Sequence, residues 1–196
     1  MRAIGLASIA YYYFDFKDTR KQDCRGLVSS LITQLCTQRS HHGYDTLSSF
    51  YEAHENGSRR PSEVDLIRCL KDVLEVSGQG SVYIIIDAVD ECAVHECPNN
   101  HGRPPHEDVL RLIKELVDLR HPDIRVCVTS RPEVDIRTVF APLASHAVSL
   151  HDQAGQRGDI TNYIKSVVES EANMRKWRRG DRQLIINTLS PNTSGM

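Results

Sequence analysis

The segment Val82-Tyr83-Ile84-Ile85-Ile86-Asp87-Ala88-Val89-Asp90-Glu91 constrains this chain more than any other. Its apolar half predicts a short strand, and three acids follow at the C-terminal end. A strand with no polar alternation is expected at the centre of a sheet, covered by helices on both sides. Its carboxylates then emerge where α/β proteins bind ligands, outside the carboxyl ends of the strands. There an ionised Asp87 can orient a Mg²⁺ water shell, and Asp90 or Glu91 can polarise a water for attack on a terminal phosphate. The chain has no Gly-x-x-x-x-Gly-Lys-Ser/Thr stretch, the loop whose backbone N–H groups cradle phosphates. It carries one half of a nucleotide site.

The rest of the chain alternates strands with amphipathic helices. Ile9 to Phe16, rich in Tyr, Phe and Ile, predicts a first strand. From Asp23 to Gln38, Leu27, Leu31, Ile32 and Leu35 recur at helical spacing, Val28 widens the stripe, and Asp23 suits a cap. Arg39 to Gly43 marks a stop, and Leu47 to His54 predicts a short helix. Ser62 and Asp65 have capping-box spacing and open a helix that buries Leu66, Leu70, Val73 and Leu74. Ser77 to Gly80 ends it.

Cys97 to Pro105 reads as an exposed loop, after which Val109, Leu110, Ile113, Leu116 and Val117 form a helical stripe. His121-Pro122-Asp123 then turns the chain into a second apolar strand, Ile124 to Val128. A short helix over Val134 to Phe140, a weak strand over Ala147 to Leu150, helices over 159–168 and 181–189, and a frayed tail over 191–196 complete the pattern. The expected fold class is α/β, a sheet with helices on both faces.

With 24 Lys plus Arg against 26 Asp plus Glu, the formal charge of -2 gives no electrostatic case for nucleic acid or an anionic membrane as partner. No stretch approaches the roughly 20 apolar residues that span a bilayer. A chain of 196 residues, 40% of them hydrophobic, fits one well-filled core. The cysteines Cys24, Cys36, Cys69, Cys92, Cys97 and Cys127 form no Cys-x-x-Cys pair and read as reduced thiols of a cytoplasmic protein. Met1 to Ala10 imitates a weak signal peptide, but its apolar run continues straight into the first strand.

Thr129, Ser130 and Arg131 end the other apolar strand, where a hydroxyl can sense a terminal phosphate through water and Arg131 can pair with its oxygens. The same residues equally suit a hydroxyl-stabilised turn, with Pro132 opening the next helix, and Asp87, Asp90 and Glu91 equally suit a solvated acidic turn. Cys92, His95, Cys97, His101 and His106 gather metal-ligating side chains near one loop, but without the spacing of a structural zinc site. Cys92 is expected to be a small buried residue and Cys127 to lie desolvated in mid-strand. Ser77, Ser81 and Ser130 lack a Gly-x-Ser-x-Gly context for nucleophilic catalysis. Trp177, among Arg175, Lys176, Arg178 and Arg179, is expected to pack a C-terminal helix against its neighbour rather than to touch nucleic acid.

Taken in order, Tyr11 to Asp18, Leu27 to Leu35, Tyr83 to Cys92 and Val128 to Glu133 resemble the NACHT NTPase domains of fungal NOD-like receptors and the similar nephrocystin-type N-terminal domains. The resemblance runs from about Ala10 to Leu189 and implies a three-layer P-loop NTPase-like sheet. Residues 9–155 would form a partial core, 156–190 the start of a helical lid, and 191–196 a disordered tail. In such a protein Asp87 corresponds to the Walker B Mg²⁺ aspartate, Asp90 and Glu91 to the acidic pair after it, and Thr129, Ser130 and Arg131 to the sensor segment. Complete relatives bind Mg-ATP or Mg-GTP, oligomerise on nucleotide exchange in self/non-self recognition, and carry an effector domain and ankyrin or WD repeats.

The family's first strand, phosphate-binding loop and following helix find no counterpart before Ile9. In the implied strand order 2-3-4-1-5 this leaves the central strand 1 missing and Ile124 to Val128 as an open edge. The resemblance therefore implies a truncated signalling NTPase domain without hydrolysis or a cofactor of its own, acting at most as an interaction module through that edge. Two alternatives stay open. One is a nucleotide-binding switch whose phosphate loop comes from an upstream exon or another chain, and the other is a Cys/His metal-binding module.

Overall fold

The computed structural model describes residues 7–38, 42–75, 80–93, 104–149 and 154–190. The chain divides into two compact units, Met1–Ala144 and Ser145–Met196. The first unit is built on three parallel strands in the order β1-β2-β3: β1 Ala7–Tyr13, β2 Ser81–Asp87 and β3 Ile124–Val128. Its helices are α1 Cys24–Gln38, α2 His42–Ala53, α3 Glu63–Glu75, α4 Pro105–Asp118 and α5 Val134–Phe140. The second unit holds α6 Ala154–Ser170 and α7 Arg179–Leu189. Among the described residues no helix is long and apolar enough to cross a membrane.

Local chemistry accounts for the element boundaries. Ser62 and Asp65 form the expected capping box: the Ser62 hydroxyl donates to Asp65 Oδ2 at 2.6 Å and accepts from the Asp65 N–H at 3.2 Å. Asp23 Oδ1 accepts from the Gly26 N–H at 2.7 Å, which starts α1. Gly26 has to be small, because a Cβ there would lie 2.9 Å from both the Arg20 carbonyl and the Tyr12 hydroxyl. Helix α2 begins at His42, ahead of the expected Leu47.

The core lies on one face of the sheet. Val82, Ile84 and Ile86 of β2 and Ala10, Tyr12 and Phe14 of the first strand segment are buried against Leu27, Leu31 and Leu35 of α1, Leu70 and Val73 of α3, and Leu112 and Ile113 of α4. The other face is bare among the described residues of the first unit. Its side chains form three rows across the strands: Ile9, Tyr83 and Arg125; Tyr11, Ile85 and Cys127; Tyr13, Asp87 and Thr129. Tyr11 is 53% exposed, Tyr83 41% and Ile85 38%.

Among the described residues this overturns the expectation that β2 is covered on both sides. The reason is topological. Right-handed crossovers that step twice in the same direction, β1 to β2 to β3, leave their helices on the same side of the sheet. Cys127, expected to be desolvated, is exposed on the bare face. In the second unit residues 147–149 form no strand, and Val148 is 74% exposed. Trp177 follows a 3₁₀ turn and is 53% exposed, not packed away as expected. The tail over 191–196 lies outside the described residues.

The two edges of the sheet differ. On β1 the outward N–H and C=O groups of Ile9 and Tyr11 are taken up by two glutamine side chains of α1. Gln38 accepts from the Ile9 N–H at 3.1 Å and donates to the Ile9 carbonyl at 2.8 Å. Gln34 does the same for Tyr11 at 3.1 and 2.7 Å. On β3 the register turns Ile124, Val126 and Val128 outward. Ile124 bonds the His121 carbonyl and Arg125, while no described residue takes the outward groups of Val126 and Val128.

Candidate functional site

The six residues singled out in the sequence converge at the C-terminal tips of β2 and β3. Asp87 is the last residue of β2, and Ala88 turns the chain in a left-handed conformation, φ 56° and ψ 49°. That turn starts a short 3₁₀ segment, Val89–Glu91, in which Val89 is buried. Non-glycine residues adopt this conformation at a cost, so something nearby must hold it. Thr129 does so, accepting from the Ala88 N–H through its hydroxyl at 3.0 Å and from the Val89 N–H through its carbonyl at 3.1 Å.

Each acid is engaged by the chain itself. The Thr129 hydroxyl donates to Asp87 Oδ1. Asp90 Oδ1 accepts from the Arg131 N–H at 2.9 Å, and its Oδ2 lies 3.3 Å from Arg131 Nε. The Asp90 side chain is only 7% exposed, whereas that of Arg131 is 75% exposed. Glu91 Oε2 accepts from the Phe16 N–H at 3.3 Å, tying the tip of β2 to the chain beyond β1. Ser130 is exposed and makes no side-chain hydrogen bond with the described residues.

As chemistry, this is a clasp joining three strand tips. The donor set does not fit a nucleoside triphosphate. Its one cationic side chain, Arg131, is paired with Asp90, and the carboxylates of Asp87 and Glu91 would repel the phosphates. For a divalent cation, Asp87 and the Thr129 hydroxyl offer two neighbouring oxygen ligands, where Mg²⁺ takes about six. No group of three or more His, Cys, Asp or Glu among the described residues is arranged to hold a metal ion.

Of the Cys/His collection, Cys92 and His106 lie among the described residues, joined by the bond from the His106 N–H to the Ala93 carbonyl at 3.1 Å. Cys92 is buried, as expected, and its Sγ donates to the Gln22 carbonyl at 3.1 Å. His106 is buried at the start of α4, with Nε2 2.9 Å from Asp135 Oδ2 of α5. Its Nδ1 is buried with no hydrogen-bond partner among the described residues. His95, Cys97 and His101 lie outside the described residues.

Two features escaped the sequence reading. The His106–Asp135 pair links residues 29 apart, so no local spacing announces it. The glutamine pair on α1 carries a signal in its i, i+4 spacing, which only becomes meaningful once β1 is known to lie beneath that helix face. The buried thiols are not candidates for nucleophiles: burial, with Glu63 close by, pushes Cys24 far above the usual thiol range, and burial pushes Cys69 up to about 11.

Residues 3–131 match the family profile described as nephrocystin 3, N-terminal. No curated protein and no solved structure matches the chain. The match covers more than half of the chain and takes in β1, β2, β3 and every residue of the clasp, and on that ground the chain belongs to the nephrocystin 3 N-terminal family.

Proposed function

We propose that this chain is an interaction module without nucleotide hydrolysis of its own, which receives another polypeptide along the open edge of β3. The contrast between the edges carries the reading: glutamines occupy the outward groups of β1, and those of Val126 and Val128 are left for a partner strand. A partner strand would gain main-chain hydrogen bonds there, the usual basis of strand addition. The self-engaged acids point the same way, since Asp87, Asp90 and Glu91 serve the strand tips rather than a ligand. Titration calorimetry with ATP and Mg²⁺ is expected to show no binding, and the Val126 and Val128 amides are expected to exchange rapidly with solvent in the isolated protein. Micromolar retention of Mg-ATP would overturn the reading.

The bare face favours a second reading, in which a strand–helix unit from an upstream segment or another chain completes a NACHT-type nucleotide switch. A strand beside β3 that leads through a helix into β1 reverses the direction of stepping. Right-handedness then drops its helix onto the bare face. One unit would close the edge and cover Tyr11, Tyr83 and Ile85 together. In such a complex Asp87 would serve the metal, Asp90 and Glu91 the attacking water, and Thr129, Ser130 and Arg131 would sense the phosphate. Supplying a segment with the Gly-x-x-x-x-Gly-Lys-Ser/Thr loop should then confer Mg-ATP binding and slow exchange at Val126 and Val128. Nucleotide binding without that slowing would sink this version.

A further inference from the structure

Resting on the interaction reading, we propose that the bare sheet face recognises a second copy of this chain. The two faces would stack about a two-fold axis that runs across the strands over Ile85. The centre of the face is apolar and accessible, with Tyr11 53%, Tyr83 41% and Ile85 38% exposed.

The charges on the face complement one another under that operation. Arg125 sits in the row nearest the strand starts, its guanidinium donating only to the Pro122 and Ile124 carbonyls, with no carboxylate partner among the described residues. Asp87 sits in the row at the strand ends and has no cationic partner there, accepting only from a hydroxyl. A two-fold axis across the strands reverses strand direction between copies and lays the first row of one over the last row of the other. Arg125 then lies over the Thr129 position of the second copy, one strand spacing of about 4.8 Å to the side of its Asp87, and its long side chain reaches across to that carboxylate, twice over. An axis along the strands would instead set Arg125 over the row position of Ile9, where no counter-charge waits.

The axis crosses the middle row, so Cys127 faces its own equivalent at roughly the 10 Å spacing of packed sheets. The nine positions cover roughly 14 by 20 Å by strand and residue spacing. That is less than the roughly 800 Å² each partner gives to a standard interface, so association should be weak and concentration dependent.

The test uses the full chain carrying Cys97→Ser, which leaves the five cysteines whose burial is described, of which Cys127 is exposed. Sedimentation velocity from about 1 to about 200 µM, a range that brackets a weak interface, should show a rising dimer fraction. Ile85→Asp and, separately, Tyr83→Lys should weaken it at least about tenfold, a change of about 1.4 kcal/mol. Both sites are solvent-exposed, so these variants should keep the wild-type circular dichroism. A bismaleimide with a spacer of about 10 Å should link two copies, and adding Cys127→Ser should abolish the link. A monomer throughout overturns the inference and leaves the interaction reading to its own test, the exchange of the Val126 and Val128 amides. Association that survives Ile85→Asp while those amides become protected also overturns it, and assigns the contact to the β3 edge, in keeping with the interaction reading.

Discussion

At the level of single residues, the clasp separates two kinds of contribution. Asp90 is nearly buried and accepts from both the backbone and the side chain of Arg131. Removing it leaves a backbone N–H short of its acceptor, whereas removing the Arg131 side chain leaves that bond in place. Asp90→Ala is therefore expected to cost about 1–3 kcal/mol and Arg131→Ala at most about 1 kcal/mol, measured by urea unfolding. Equal losses would mean that the exposed guanidinium, not the buried acceptor, carries the clasp.

Asp65 gives a pH prediction. Hydrogen bonds from the Ser62 hydroxyl and then the Ser62 N–H hold its carboxyl down to about 2. A carboxylate depressed in the folded state stabilises the protein above its unfolded pKa of about 3.9, and that stabilisation is lost as pH falls through the folded value. Ser62→Ala should lower the melting temperature at pH 6 and flatten its dependence on pH between about 4 and about 2. An unchanged acid profile would show that Asp65 draws its depression from elsewhere.

Among the secondary-structure elements, the glutamines of α1 stand in for a missing neighbour strand. Gln34→Ala with Gln38→Ala should release the four hydrogen bonds to β1, each worth about 0.5–1.5 kcal/mol net of the water bonds that replace it. The expected result is faster amide exchange at Ile9 and Tyr11 with little change at Ala10, whose groups face β2. Aggregation on heating should also increase, as an uncovered edge invites strand pairing.

This scale also shows what the sequence could and could not reveal. The bounds of β3 and α5, the capping box of α3 and the buried stripe of α1 follow from spacing and turn chemistry, which act within a few residues. The coverage of β2 did not, because Tyr83 and Ile85 look like core residues and only the direction of chain stepping decides which face receives helices. Likewise, spacing brought Asp87, Asp90, Thr129 and Arg131 to one end of the sheet, but not the pairing in which each acid is bonded by a neighbour. Those bonds join residues 41 and 42 apart, beyond the reach of any local pattern.

For the whole molecule, accessibility of thiols reports on the sidedness of the sheet. Cys24, Cys36, Cys69 and Cys92 are buried on the covered side, and Cys127 is exposed on the bare one. Brief treatment of native protein with iodoacetamide should modify Cys127 at least about tenfold faster than these four, since the thiolate needs both access and ionisation. Comparable labelling of Cys24 or Cys92 would mean that the helices do not cover the face as described. The near-neutral charge of -2 adds little long-range repulsion between copies, so solubility rests on what covers Tyr11, Tyr83 and Ile85.

The occupied border of β1 has a further consequence for assembly. A sheet with two vacant borders can recruit neighbour after neighbour and grow into a fibre, but one whose far side is already sealed by amide side chains adds neighbours on one side only. Gln34 and Gln38 thus work as chain terminators on the β1 side, so that in-line growth of the sheet proceeds from β3.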